Sequence, residues 1–255
     1  MNRSSYTMRL LSTLSALALT ATTVMAQDVG EMNDAQRDAF RAEVRAYLLE
    51  NPEVLMEAIG VLEARQAEAE VARDERLAEL NADALFNDGY SYVGGNPDGD
   101  LTIVEFVDYR CGFCRRAHPE VAELVASDGN IRIITKEFPI LGEQSLLASQ
   151  FAVATQIVAG DESYKLISDA LFALRSDVTP ASLSSLAEAF DLDAEAILAE
   201  MDSDGVKEVL AANRALGDRM QITGTPTFVF GNEMVRGYVP LDGMREIVIA
   251  QRDES

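Results

Sequence analysis

Cys111 and Cys114 are the only cysteines of the chain, and Gly112 and Phe113 lie between them. Two thiols at that spacing suit disulfide exchange: a thiolate attacks a disulfide sulfur, and the second thiol resolves the mixed disulfide. The chemistry works best when the first cysteine opens a helix. Free backbone N–H groups and the helix dipole then favour negative charge, so Cys111 should titrate below the free-thiol value of about 8.5. Arg115 and Arg116 add positive charge close by. Cys114, a turn inside, should be buried and protonated, which makes Cys111 the nucleophile and Cys114 the resolving thiol. Other uses of the pair are weaker. A structural zinc site usually takes four ligands, and the chain offers two Cys and one His. An inert disulfide closing so small a loop gains little chain entropy. No metal and no cofactor is expected.

Something must hold Cys111 at a helix start. Leu101 to Tyr109 is rich in β-branched and aromatic residues and reads as a strand. A helix should run from the cysteines to about Ala126, and Ile131 to Phe138 reads as a second long strand, giving a βαβ unit. Tyr90 to Val93 suggests a short strand before the turn cluster Gly94–Gly99. Residues 143 to about 222 read as helices, with breaks expected at Gly160-Asp161, Asp177–Pro180, Asp191–Asp193 and Asp202–Gly205. Thr227–Phe230 and Met234–Gly237 make a hairpin around Gly231-Asn232, and Leu241 to Gln251 a last helix. The fold class is α/β, with a helical block inserted into a small sheet.

Before this body come two helices. Asn33 caps the first, to about Leu49, and Asn51-Pro52 starts the second, to about Ala84. Phe40, Val44 and Leu48 form one apolar stripe, and Val54, Leu55, Ala58, Ile59 and Leu62 another. Glu63 to Glu79 is polar almost all round, as in a helix that crosses solvent. At the front, Arg3 and Arg9 precede an uncharged Leu/Ala-rich run from Leu10 to Val24, and Val24-Met25-Ala26 follows. That order is a secretory signal cleaved after Ala26, and it places the chain outside the cytosol, where disulfides persist. The expected parts are therefore 1–26 signal, 27–85 helical oligomerisation or linker segment, and 86–255 catalytic domain, with its insertion at about 143–222. A net charge of −22 excludes a nucleic-acid partner, which needs clustered cations.

Val104-Glu105-Phe106, Cys111-Gly112-Phe113-Cys114, His118-Pro119-Glu120 and Thr223-Gly224-Thr225-Pro226-Thr227-Phe228 together resemble the active-site segments of the DsbA family of thioredoxin-fold proteins. The resemblance implies a thioredoxin fold with an inserted helical domain. It implies that Pro226 is a cis-proline facing the cysteines and that the backbone of Thr225 pairs with bound peptide. Gly112 and Phe113 would join these two in contacting substrate. It also implies that Glu105 is a buried carboxylate beneath the active-site helix, with Lys136 of the neighbouring strand as its partner. His118, the only histidine, reads as a helix-surface residue.

The stretch Ala39 to Leu62 resembles the N-terminal segment of the suppressor-of-copper-sensitivity protein C (ScsC) group. That resemblance implies a homo-oligomer, trimer or dimer, and a periplasmic disulfide isomerase kept reduced by a membrane partner. Its substrates would be proteins with disulfides or unpaired cysteines. Gly112-Phe113 and Thr225 point the same way, since no histidine between the cysteines helps to stabilise a thiolate. Two alternatives stay open: a monomeric dithiol oxidase, and a copper-binding or copper-tolerance protein using soft thiolate ligands.

Overall fold

The computed structural model describes residues 32–253. The expected signal segment and its cleavage point lie outside the described residues. The chain divides into two compact units, one ending at Val61 and the other beginning at Leu62.

The first unit holds α1 (Asp34–Glu50) and the opening turns of α2 (Glu53–Leu80). Asn33 caps α1 in the expected way: its side chain accepts from the Gln36 backbone, and Gln36 reaches back to the Asn33 N–H. No residue of α1 is buried. Phe40, Val44, Leu55 and Ile59 are all exposed.

The second unit is built on a five-stranded sheet of order β1-β3-β2-β4-β5. Its strands are β1 (Tyr92–Gly95), β2 (Leu101–Val107), β3 (Ile131–Glu137), β4 (Thr227–Phe230) and β5 (Glu233–Arg236). β2 and β3 run parallel, and α4 (Gly112–Asp128) crosses between them. β1, β4 and β5 are antiparallel to their neighbours. β2 lies in the middle, and six of its seven residues are buried, which explains its near-continuous apolar run.

Period-two alternation divides the sheet into two faces. Ile103 and Ile133 pack with Ala117, Val121 and Leu124 of α4 and with Met244 and Val248 of α9 (Leu241–Asp253). Val104, Phe106 and Ile134 pack on the other face with Met220 and Ile222, and with Ala78 of α2 and Leu85 of α3 (Ala82–Phe86).

Four helices lie between β3 and β4: α5 (Glu143–Ala173), α6 (Pro180–Ala189), α7 (Ala194–Glu200) and α8 (Asp204–Arg219). α5 is interrupted at Gly160, whose φ of 82° is left-handed and breaks the helical path where glycine tolerates it. Thr179 caps α6 with Pro180 in its first turn, and Ser203 caps α8. These helices share a core of their own, including Phe151, Tyr164, Ile167 and Leu183, and it reaches Cys114.

Two expectations need correction. The polar stretch of α2 does not cross solvent along its whole length: Asp74 and Ala78 are buried, and Asp74 pairs with Arg236 of β5. The helix also ends at Leu80 rather than Ala84, where Asn81 turns its side chain back onto Leu77 O at 2.8 Å. α3 then carries Leu85 into the core. Composition hid this because a single buried ion pair looks the same in sequence as a solvated one.

Candidate active site

Cys111 is the N-cap of α4, with extended backbone (φ −72°, ψ 121°). Asp108 sets that geometry. Its carboxylate accepts from Arg110 N at 2.8 Å and from Ile140 N and Leu141 N at 2.9 and 3.1 Å. One buried side chain thus ties the end of β2 to the loop after β3 and turns the chain into the helix. Sequence reasoning missed Asp108, although an Asp three residues before a helix N-cap, able to accept from the N–H two residues on, is an Asx-turn signal.

Both cysteines are free thiols and both are buried, Cys111 at 7% exposure and Cys114 fully. The hydrogen bond with Cys114 is the main influence that lowers Cys111, to about 5; burial opposes it, and Thr225 and the backbone N–H groups of Phe113 and Cys114 support it. The same contact, with burial and the nearby Glu105, pushes Cys114 well up. The pair is therefore one ionised sulfur above one protonated sulfur.

Across from α4, the Thr225–Pro226 peptide is cis. Cys111 Sγ lies 3.1 Å from Thr225 O, to which a protonated thiol donates. Phe113 projects outward at 60% exposure and stacks beside Tyr238, over whose ring Arg116 also lies, 4.4 Å from the centroid. Glu120 fixes Tyr238 through its hydroxyl at 2.7 Å and accepts from Leu241 N at 2.8 Å. Arg115 donates to Tyr109 O at 2.9 Å. The structure thus brings together Cys111, Gly112, Phe113, Cys114, Thr225 and Pro226 at one end of the sheet.

Glu105 and Lys136 do not pair. In the β2–β3 register Glu105 stands opposite Thr135, and Phe106 opposite Lys136. Facing residues leave the same side of a sheet, so the acid and the amine leave opposite sides. Lys136 instead donates to Asp88 and to Ala84 O at 2.9 Å, under the chain that follows α3. Burial alone would raise Asp88, but Lys136 and Ser91 hold it below the usual carboxylate range.

Glu105 points toward α4 at 4% exposure, and its Oε1 has no partner. Burial, then the nearby Glu137, push it up to about 8. Glu137, two positions along on the same face, is held by hydroxyls: Tyr109 and Tyr164 donate to Oε1, both at 2.6 Å, and Ser149 to Oε2 at 2.7 Å. Burial raises it to about 7 against these donors. This cage joins the inserted helices to the sheet, and nothing local in the sequence marks it. His118 is half-buried. Its Nε2 lies 2.8 Å from Asp169, and its ring stacks on Phe172 with centroids 4.3 Å apart. Among the described residues no group of three or more His, Cys, Asp or Glu side chains could hold a metal ion.

A family model described as Thioredoxin matches residues 87–250. The chain belongs to the thioredoxin family. A second model, the copper resistance protein ScsC N-terminal domain, matches residues 36–69. Among solved structures, this thioredoxin-family chain is 36% identical to a thioredoxin-like oxidoreductase from Silicibacter pomeroyi (TM-score 0.63, 67% of this chain and 97% of that one). It is 28% identical to Proteus mirabilis ScsC in a transitional conformation, with a TM-score of 0.64 over 89% of this chain and 99% of that one. Disulfide bond formation protein D of Bacillus subtilis is 24% identical over 168 residues, 61% of this chain and 74% of that protein. The chain spans only 28% of the length of the first curated relatives it matches. One of these is the Na(+)/H(+) antiporter NhaA 3 of Salinispora tropica, 26% identical over 196 residues and 73% of this chain. In fold and in layout, helical N-terminal segment included, the chain is of the DsbA and ScsC type.

Proposed function

We propose that the protein is an exported thiol–disulfide oxidoreductase that acts on protein disulfides through Cys111 and Cys114, as an isomerase or reductase in an oligomer. The observation that carries the reading is the asymmetry of the pair: Cys111, lowered to about 5 at the N-cap of α4, in contact with a buried Cys114 pushed the other way. The Cys111 thiolate attacks one sulfur of a substrate disulfide, the S–S bond breaks, and the other substrate sulfur leaves as a thiolate. Two outcomes follow. The freed substrate thiolate can attack elsewhere and finally displace Cys111, which rearranges the substrate with no net oxidation. Otherwise Cys114 loses its proton and attacks Cys111, which releases a reduced substrate and leaves Cys111–Cys114 oxidised. A membrane redox partner would then return two electrons to the pair.

Pro226, the Thr225 backbone, Gly112 and Phe113 form the surface that takes the substrate chain. Glu105, buried on the α4 side of the sheet, acts on Cys114 through its charge. The 1–26 segment supports export to the periplasm. Residues 27–85 supply an oligomerisation segment, supported by the exposed Phe40, Val44, Leu55 and Ile59 and by the ScsC N-terminal match. Apolar side chains left exposed in such a row favour self-association. The test uses the full chain with Val44→Glu and Ile59→Glu together, read by solution mass and by refolding of a scrambled disulfide substrate. The proposal expects a smaller mass and lost isomerisation, with dithiol reactivity at Cys111 kept. An unchanged mass would remove the oligomer from the account.

One observation favours the monomeric oxidase instead. A strongly lowered Cys111 stabilises the reduced form, and that makes a disulfide more oxidising. A reduction potential close to that of strong oxidases, together with a monomeric mass, would select that reading. The description of the matched N-terminal model raises copper tolerance as well. Tight stoichiometric Cu(I) binding by the reduced protein, without turnover on scrambled substrate, would support it.

A further inference from the structure

On the α4 side of the sheet, β1, β2, β3, α4 and α5 line an open cavity of about 550 Å³. Cys111, Gly112, Phe113, Thr225 and Pro226 take no part in its lining. Val107, Val121, Val125, Ile133 and Phe172 give it apolar walls, and Glu105 contributes the carboxyl group. Among the other polar side chains there, Tyr164 is engaged with Glu137, Ser168 with Tyr109, and both His118 and Lys165 with Asp169, the latter at 2.5 Å. Glu105 Oε1 differs from them. It is the one buried side-chain oxygen without a partner, among the described residues, that lines this space.

We propose that this cavity is a binding site for a small amphipathic primary amine, whose ammonium group donates to Glu105 while its apolar body fills the slot between α4 and α5. The volume is in the range of small-molecule sites, which are mostly apolar with a few placed polar groups. The sign of the ligand follows from the charges around the acid. Glu137 on β3 acts directly on Glu105, and Asp169 on α5 holds the lining His118 and Lys165. Lys165 is the cation at the cavity, and it is paired with Asp169, whose carboxylate also lies against His118 Nε2. Tyr92, Tyr164 and Cys114 are its remaining titratable neighbours, and their neutral forms leave the balance negative. An anion would be repelled by Glu137 and, once it ionises, by Glu105. A neutral molecule would fill the walls but leave the buried oxygen without an ion-pair partner.

Binding carries a pH signature. Glu105, pushed up to about 8, must lose its proton to receive an ammonium group. Apparent affinity therefore rises about tenfold per pH unit below that value. Ionisation of Glu137 in the same range acts in the same direction. The site shares Glu105 with the surroundings of Cys114 but uses neither sulfur, so either proposal can fail without the other.

The test titrates the full reduced chain with benzylamine, benzyl alcohol and phenylacetate at pH 6 and pH 7, by calorimetry and by NMR shifts of Val121, Val125 and Phe172. Benzylamine should bind saturably at those residues and about tenfold tighter at pH 7. Glu105→Gln should weaken it at least tenfold and remove most of the pH dependence, leaving the smaller part that Glu137 contributes. Ala122→Leu, which fills the slot from α4, should abolish binding with the alkylation rate of Cys111 unchanged. Equal affinity for benzyl alcohol, undiminished binding to E105Q, or no saturable shift at the cavity residues would overturn the proposal.

Discussion

Replacing Glu105 with Gln should stabilise the protein, and by an amount that depends on pH. Glu105 is pushed from its ordinary 4.5 up to about 8 by burial and by Glu137. Its folded pKa is raised, so the stability linked to it is full below 4.5 and is lost as pH rises through about 8. At pH 7 the unfolded chain carries an ionised Glu105 and the folded chain a protonated one. Moving the proton across 2.5 pH units, at about 1.4 kcal/mol each, costs the wild type about 3 kcal/mol. Gln has nearly the same shape and does not titrate. The difference in unfolding free energy between E105Q and wild type should therefore grow by about 3 kcal/mol between pH 4.5 and pH 7. Urea unfolding of both proteins at a series of pH values, all in the reduced state, measures it. A difference independent of pH would refute the reasoning, because it would mean that Glu105 ionises freely in the folded protein. A difference of opposite sign would mean that its carboxylate has found a partner.

Lys136→Met should destabilise by about 3–5 kcal/mol in urea unfolding, because it strands a buried Asp88. It should leave the Cys111 titration unmoved, since Lys136 faces away from the active-site helix. Tyr164→Phe removes one of three hydroxyls on Glu137 and should cost about 1.5–3 kcal/mol in the same assay. With Glu137 raised to about 7, that loss should be largest above pH 7 and should fade in acid, where the carboxyl is protonated. Gly217→Ala places a methyl carbon 2.4 Å from Phe138 Cε2, so thermal unfolding should show a loss of about 1–3 kcal/mol from overpacking.

The order of elements was legible because it rests on local signals. Alternation and β-branching mark β2 and β3, Asn33, Thr179 and Ser203 mark helix starts, and Gly160 marks the break inside α5. The cysteine pair was legible for the same reason, since its chemistry depends on a two-residue spacing and a helix N-terminus. Strand register was not. A shift of one position decides whether Glu105 meets Lys136 or Thr135, and both strands read the same either way. The Glu137 cage draws Tyr109, Ser149 and Tyr164 from separate elements, and no pattern within one element signals it. The docking of Asp74 on Arg236 joins residues 162 positions apart and sits in a stretch whose composition suggests solvent.

The central claim is that one sulfur is ionised at neutral pH and its neighbour is not. Iodoacetamide alkylation of the reduced full chain from pH 4 to pH 9, with the modified residue identified by mass spectrometry, tests it directly. The account predicts modification of Cys111 alone, with a rate midpoint at about 5. A midpoint above pH 8, or modification of Cys114 as fast as Cys111, would contradict it.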